Sequence, residues 1–225
     1  MEPKFSNCSC FFFFFFVLAS RFSSISPAGV FNILDYGVAP GGDATRAVQN
    51  AWKGACSAGG GSSLLVPAGN FNLGEVWLEG PCNRTVVIQL EGTLTAPSSA
   101  DAFKSDGWIT IHGVDHLIIK GYGAIDGVAT SRAISGKRVD NLKLVGLNNS
   151  RVETIKSKNS KMFHISVVSC ININLVGLTI TSPSVRANTD GIHTSRSVNV
   201  TITGATIGTG DDCISIGEGS RNITT

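Results

Sequence analysis

Charged side chains are scarce in this chain: Asp, Glu, Lys and Arg make up only 15% of its 225 residues, and the formal net charge is +2. No cluster of basic residues stands out, so we expect no nucleic-acid partner. Glycine is abundant instead, with 26 copies, and β-branched residues and Asn are frequent. This composition favours a β-rich, turn-rich protein over a helical bundle.

Long apolar runs are also lacking, with one exception near the start. Phe11–Ala19 reads FFFFFFVLA and comes after Lys4. The run is too short to cross a bilayer but fits the hydrophobic core of a secretory signal. We therefore predict a signal peptide over residues 1–26, cleaved between Ala19 and Pro27, and a secreted, extracellular chain from residue 27 to 225 with no membrane contact after cleavage. A membrane anchor or a buried strand is the alternative.

Cysteine usage depends on this prediction. Cys8 and Cys10 leave with the signal, and the four cysteines that remain allow three pairings in an oxidising compartment. We expect a disulfide between Cys56 and Cys82.

Only one stretch has helical periodicity. Apolar residues recur at helical spacing from Ala47 to Ala55, which predicts an amphipathic helix over residues 44–56 with Asp43 as its N-cap. A glycine-rich segment ends it at Gly59. We expect this helix to cover the first open end of the β-structure downstream of it.

The rest of the chain has a repeat. Glycines come after alternating apolar runs at separations of 29, 25, 31 and 27 residues, at Gly92, Gly121, Gly146, Gly177 and Gly204. Five residues before the last four of them stand His116, Asn141, Asn172 and Asn199. Strands this short must stack to bury their apolar face, so the period predicts an all-β, right-handed parallel β-helix with an asparagine ladder at one corner. An antiparallel sandwich is the alternative.

The chemistry is concentrated in the stretch from Asn188 to Gly217. Aligning Asp190 with Asp212 puts Ile192 over Ile214 at a separation of 22 residues. A turn at Gly208–Gly210 would let Asp211 also point outward, so that three carboxylates converge at coil spacing. Such carboxyl groups cannot all ionise normally, and one should retain its proton. A plain turn, a calcium site and a catalytic acid/base set all remain possible from these residues.

These residues carry a resemblance to a known family. Asn188–Asp190 and Gly210–Cys213 resemble the first two signature motifs of the polygalacturonases, glycoside hydrolase family 28. The similarity extends over nearly all of the mature chain and is greatest to the pollen-type exopolygalacturonases of plants. It includes residues 31–52, 80–82, 90–94, 106–109, 159–165 and 207–209.

The resemblance implies inverting hydrolysis of α-1,4-galacturonosyl bonds in a pectic polysaccharide in the cell wall, by a monomer without metal or cofactor. Asp211 would be the general acid, Asp190 and Asp212 would activate water, and Asn188 would help to hold the site. Inversion requires an acid-to-base separation of roughly 6.5–9.5 Å. We also expect Arg186 and Arg196 to contact the anionic sugar, and we interpret His193, which alternates with Ile192, as an ordinary groove residue.

The sequence departs from the family in the segment after Cys213. A Gly-His-Gly turn and an Arg-Ile-Lys segment, which the family uses to support the site and bind the substrate carboxylate, are absent before Thr225, as is the usual disulfide partner of Cys213. We therefore expect an unpaired Cys213 and a solenoid truncated at its carboxyl-terminal end. The alternative function is a catalytically inactive remnant that at most binds pectin or a wall protein.

Overall fold

The computed structural model describes residues 29–58, 61–129, 137–182 and 188–225. The predicted signal segment at residues 1–26 lies outside these ranges. The described residues form one α-helix, two short 3₁₀ helices (Ile33–Tyr36 and Ala100–Ala102) and twenty strands. None of their helices is long and apolar enough to span a bilayer.

The helix and strands have these bounds in chain order: β1 Val30–Asn32, α1 Thr45–Ser57, β2 Ser62–Val66, β3 Asn70–Asn72, β4 Val76–Glu79, β5 Val86–Leu90, β6 Thr93–Thr95, β7 Gly107–His112, β8 Leu117–Lys120, β9 Ala124–Asp126, β10 Asp140–Val145, β11 Asn148–Glu153, β12 Lys156–Lys158, β13 Ile165–Val168, β14 Ile171–Val176, β15 Thr179–Thr181, β16 Ile192–Ser195, β17 Val198–Thr203, β18 Thr206–Gly208, β19 Ile214–Ile216 and β20 Arg221–Thr224.

These strands stack into three parallel sheets, and the chain visits each sheet once per coil. The first sheet has the order β1-β2-β5-β8-β11-β14-β17-β20, the second β3-β6-β9-β12-β15-β18, and the third, which we call the groove sheet, β4-β7-β10-β13-β16-β19. The predicted parallel β-helix is therefore confirmed. Leu, Ile and Val fill its interior in rows, as in Leu142, Ile165, Ile192 and Ile214, which pair in register across the groove sheet.

Helix α1 packs on the first coils as expected, one residue later in the chain than predicted. Its buried face consists of Ala47, Val48, Ala51, Trp52, Ala55 and Cys56. Asp43 does bond the helix start, because its Oδ1 accepts from the Thr45 backbone N–H at 2.9 Å, but Ala44 occupies the N-cap position. A disulfide joins Cys56 of the helix to Cys82. Cys170 is a buried free thiol and Cys213 an exposed one.

An asparagine ladder runs along one corner, as predicted, and its members bond one another through their side chains. Each amide Nδ2 donates to the side-chain oxygen of the previous coil at 2.9–3.1 Å, in the order Asn222, Asn199, Asn172, Asn149 and Asp115. The four asparagines have φ between 50° and 58°, in the left-handed region. Asn tolerates this region better than most residues, and its side chain bonds locally there.

The repeat predicted from Asn141 was wrong in register. Asn141 lies on β10 of the groove sheet, where it is buried and donates to Ser157 Oγ at 3.1 Å, so the counterpart of Asn172 is Asn149. The cause is that each coil has two left-handed turns, one on either side of the first sheet. Gly146 occupies the turn before that sheet and Gly177 the turn after it, with φ of 63° and 61°. Similar turns with similar residues produced two interleaved repeats.

The ladder predicts a specific stability effect at Asn172. Replacement by Ala should lower the free energy of unfolding by about 1–2 kcal/mol, because it removes the ladder bonds and leaves a β-carbon at positive φ. Replacement by Gly removes the same bonds without the backbone strain, so it should cost less. Urea unfolding of both variants would measure the difference. Equal stabilities of Asn172→Ala and the parent would contradict this account.

Candidate active site

Two of the predicted carboxylates occupy equivalent places in successive coils. Ile192 of β16 pairs with Ile214 of β19, and Asp190 and Asp212 each precede their strand by two residues. The Gly191 N–H donates to the Asp212 carbonyl at 2.9 Å, which continues the pairing to the aspartates themselves. The predicted stacking of these coils is therefore observed.

Asp190 is the enclosed member of the set. It is only 7% exposed, and its Oδ2 accepts a hydrogen bond from Ser215 Oγ at 2.5 Å. Ser215 lies on β19, one coil further along, so the bond ties the two coils together across the sheet. A buried carboxylate requires such a partner, because burying an unpaired charge is costly.

Asp211 and Asp212 are both exposed, and a turn makes this possible. Thr209 Oγ1 donates to the Asp211 carbonyl at 3.1 Å, and the Gly210 N–H donates to Thr189 Oγ1 at 3.2 Å. The Asp211 carboxylate accepts from the backbone N–H of Asn188 at 2.7 Å and of Asp212 at 3.0 Å. Asp211 thus joins the turn to the segment before Asp190. The Asp212 carboxylate has no hydrogen-bond partner within the described ranges.

The residues predicted to contact the substrate differ in their position relative to the three aspartates. Asn188 reaches the site through its backbone, in a left-handed conformation with φ of 58°. Arg196 lies in the turn directly after β16, exposed, with Nε donating to Ser169 Oγ at 3.4 Å. Arg186 lies outside the described residues.

A groove of about 390 Å³ runs over the outer face of the groove sheet. Its floor includes an in-register outward row of Lys143, Ser166 and His193, and the row continues to Ser215. Two arginines, one lysine and two aspartates line it, and Lys143 Nζ donates to Asp106 Oδ2 at 2.6 Å. The lining residues are Asp106, Arg138, Asp140, Lys143, Met162, Phe163, Ser166, Val168, His193, Ser195 and Arg196.

The groove contains a second copy of the Asp190–Ser215 arrangement that the sequence had not revealed. Asp140 is 6% exposed and accepts from Ser166 Oγ of the next coil at 2.6 Å and from the Phe163 N–H at 3.2 Å. Burial raises the pKa of Asp140 to about 6, against the opposing effects of Ser166 and Lys143. The signal was present in the spacing, since Asp140 precedes Leu142 by two residues as Asp190 precedes Ile192.

His164 is structural, because both ring nitrogens are used inside the fold. Nδ1 lies 2.9 Å from Ser157 Oγ and Nε2 lies 2.9 Å from Ser182 Oγ. Burial lowers the pKa of His164 to about 4. Among the described residues, no three His, Cys, Asp or Glu side chains are grouped so that they could hold a metal ion.

The comparison with protein families identifies the chain. The family described as "Glycosyl hydrolases family 28" matches residues 56–225. The chain belongs to this family. Among curated proteins, an exopolygalacturonase of Platanus acerifolia is 44% identical over 209 residues, which cover 88% of this chain and 55% of that protein. A polygalacturonase of Medicago sativa is 38% identical over 211 residues, which cover 88% and 50%. This family 28 chain thus spans about half the length of the curated relatives it matches.

Solved structures support the fold of this family 28 chain. An exopolygalacturonase of Thermotoga maritima aligns with a TM-score of 0.75 at 20% identity, over 86% of this chain and 58% of that one. A polygalacturonase of Erwinia carotovora aligns with a TM-score of 0.71 at 24% identity, over 88% and 61%. At these identities the likeness concerns the fold alone, and it confirms the right-handed parallel β-helix.

Two buried titratable groups of this region, Asp140 and His164, act on stability in opposite directions. Asp140 has its pKa raised from 3.8 to about 6, so its contribution is present below pH 3.8 and is lost as the pH rises through 6. His164 has its pKa lowered from 6.5 to about 4, so its contribution is present above pH 6.5 and is lost as the pH falls through 4. Between these limits the two effects largely cancel.

Asp140→Asn removes one of these two opposing effects, so the loss of stability at low pH that is due to His164 should become measurable. Relative to the parent, the variant should gain up to about 3 kcal/mol in free energy of unfolding as the pH rises from 4 to 7, because it no longer ionises a buried carboxyl. Denaturant unfolding at several pH values would measure this, with Asp101→Asn as an exposed control. A pH-independent difference between Asp140→Asn and the parent would contradict the assigned shift.

Proposed function

We propose that this protein is a secreted, monomeric hydrolase of de-esterified homogalacturonan that cleaves α-1,4-galacturonosyl bonds with inversion in the plant cell wall. The observation that carries the proposal is the joint placement of Asp190, Asp211 and Asp212 at one edge of the groove sheet. Family membership and the printed names of the similar plant proteins support the substrate class.

In the proposed reaction, Asp211 donates a proton to the glycosidic oxygen as its bond to the anomeric carbon breaks. Water attacks that carbon from the opposite face and transfers a proton to Asp190 or Asp212. The leaving sugar departs with a free hydroxyl, and the new hydroxyl has the inverted configuration. The three carboxyl groups lie in different surroundings, since Asp190 is enclosed and bonded to Ser215 while Asp211 and Asp212 are exposed.

The groove supports an anionic polymer as substrate. Arg138 and Arg196 line it together with Lys143, which is paired with Asp106, and charge-assisted bonds from such side chains to carboxylates are among the stronger polar contacts. Secretion is supported by the apolar run Phe11–Ala19 and by the disulfide between Cys56 and Cys82, since disulfides persist in oxidising compartments.

Release of reducing ends from polygalacturonate by the secreted protein would test this function. Asp211→Asn should lower the rate by about 10²- to 10⁴-fold, the usual contribution of a general acid, and Asp190→Asn and Asp212→Asn should also be strongly impaired. Asp35→Asn makes the same chemical change at an exposed site in the first 3₁₀ helix and should retain parental activity.

Parental activity in Asp211→Asn would overturn the assignment of the general acid. A folded parent protein without hydrolytic activity would overturn the proposed function. Binding of polygalacturonate without hydrolysis would then favour the alternative of a pectin-binding remnant.

A further inference from the structure

A three-residue hydrogen-bond chain extends from the site into the groove. Asp190 Oδ2 accepts from Ser215 Oγ at 2.5 Å, and the same Oγ lies 2.8 Å from His193 Nδ1. His193 lies on β16, Ser215 lies on β19, and Asp190 lies two residues before β16. His193 and Ser215 are paired in register. His193 is therefore linked to the enclosed carboxylate although it lies on the groove floor.

The available protons and lone pairs determine which group donates in each of these two hydrogen bonds. A serine hydroxyl has one proton to donate and two lone pairs that accept. Ser215 Oγ donates its proton to Asp190 Oδ2, so towards His193 the same oxygen can only accept, and its partner there is Nδ1–H. In a neutral imidazole protonated on Nδ1, Nε2 is unprotonated and can accept a hydrogen bond.

The surroundings of the ring keep it neutral and oriented. Burial lowers the pKa of His193, although the nearby Asp190 raises it in part. The ring stacks on Phe163 of the previous coil, with centroids 4.5 Å apart and planes 16° from parallel. Stacking and the bond to Ser215 together leave little freedom of rotation about the side-chain bonds.

The Nε2 edge of the His193 ring lies beside Gly217, where a side chain would crowd it. A β-carbon at residue 217 would lie 2.9 Å from the Thr194 carbonyl oxygen and 3.2 Å from both Nε2 and Cε1 of His193, but this residue is Gly217, and its φ is not positive. Glycine is therefore needed here for space rather than for backbone conformation. Within the described residues, Nε2 has no hydrogen-bond partner, and His193 lines the groove.

We propose that His193 is a substrate-binding residue whose bare Nε2 accepts a hydrogen bond from a hydroxyl group of the acidic sugar bound beside Asp190. The lone pair would repel a sugar carboxylate and attract a hydroxyl proton, so His193 distinguishes these two substituents and helps to orient the ring. This role rests on the proposed function and adds a substrate contact to those of the three aspartates. Ser215 acts as the positioning residue that holds the tautomer.

The tautomer can be observed directly in the folded protein. With ¹⁵N-labelled histidine, the His193 ring should show a protonated Nδ1 and an unprotonated Nε2 in the absence of substrate. Adding trigalacturonate to the Asp211→Asn protein, which should bind without turnover, should move the Nε2 resonance in the direction of a hydrogen-bonded nitrogen. Loss of the signal in His193→Asn would assign it. An Nε2-protonated ring, or an unchanged Nε2 in the complex, would overturn the proposal.

Two substitutions distinguish the contributions of Nδ1 and Nε2 of His193. Gln carries its terminal amide about as far from the backbone as Nε2, whereas Asn reaches only as far as Nδ1. His193→Asn should weaken trigalacturonate binding about 3- to 10-fold, the usual value of one hydrogen bond, and His193→Gln should recover most of this loss. Binding is measured by calorimetry in the Asp211→Asn background, with circular dichroism to verify folding.

His116→Asn is the matched control. His116 lies outside the groove lining, in the left-handed corner that Asn149 occupies in the next coil, so Asn fits there and binding should not change. Equal binding by His193→Asn and the parent would overturn the role of Nε2 while leaving the proposed function intact. Absence of any trigalacturonate binding in the folded Asp211→Asn protein would instead overturn the proposed function and this inference together.

Discussion

The structure depends on one constraint: parallel strands of successive coils must stack in register. Every described strand has only three to six residues, and none could bury an apolar face alone. Stacking places like residues over like, so that aliphatic side chains form interior rows and the asparagines form a continuous ladder at one corner. The same constraint determines which polar groups meet on the outer surface.

The candidate active site results from this stacking rather than from any local fold of its own. Residues 22 apart in sequence become neighbours because a coil of that length separates them, as with Ile192 and Ile214. The groove sheet bonds an aspartate to a serine of the next coil twice, as Asp140 with Ser166 and as Asp190 with Ser215. The Asp190 copy differs in having Asp211 and Asp212 one coil further along. The sheet therefore supplies a stabilising arrangement to which the adjacent turn adds two exposed carboxyl groups.

Sequence patterns were sufficient for the architecture and for the position of the carboxylates. Helix α1 and the stacking of the Asp190 and Asp212 coils could be predicted from short-range periodicity and one clear spacing. The register of Asn141 could not be predicted, because two left-handed turns per coil have similar residues and only the backbone pairing distinguishes them. Contacts such as the stacking of Phe163 on His193 could not be predicted either, since they depend on which outward side chains become neighbours and on the rotamer of each.

The most direct test of the central claim is the anomeric configuration of the first product. Proton NMR during the first minutes of trigalacturonate hydrolysis would distinguish the anomers before they equilibrate in water. An inverting set of Asp190, Asp211 and Asp212 acting on an α-linkage predicts that the β-anomer appears first. Initial release of the α-anomer would contradict the account, because it would require one of these carboxylates to form a covalent glycosyl intermediate.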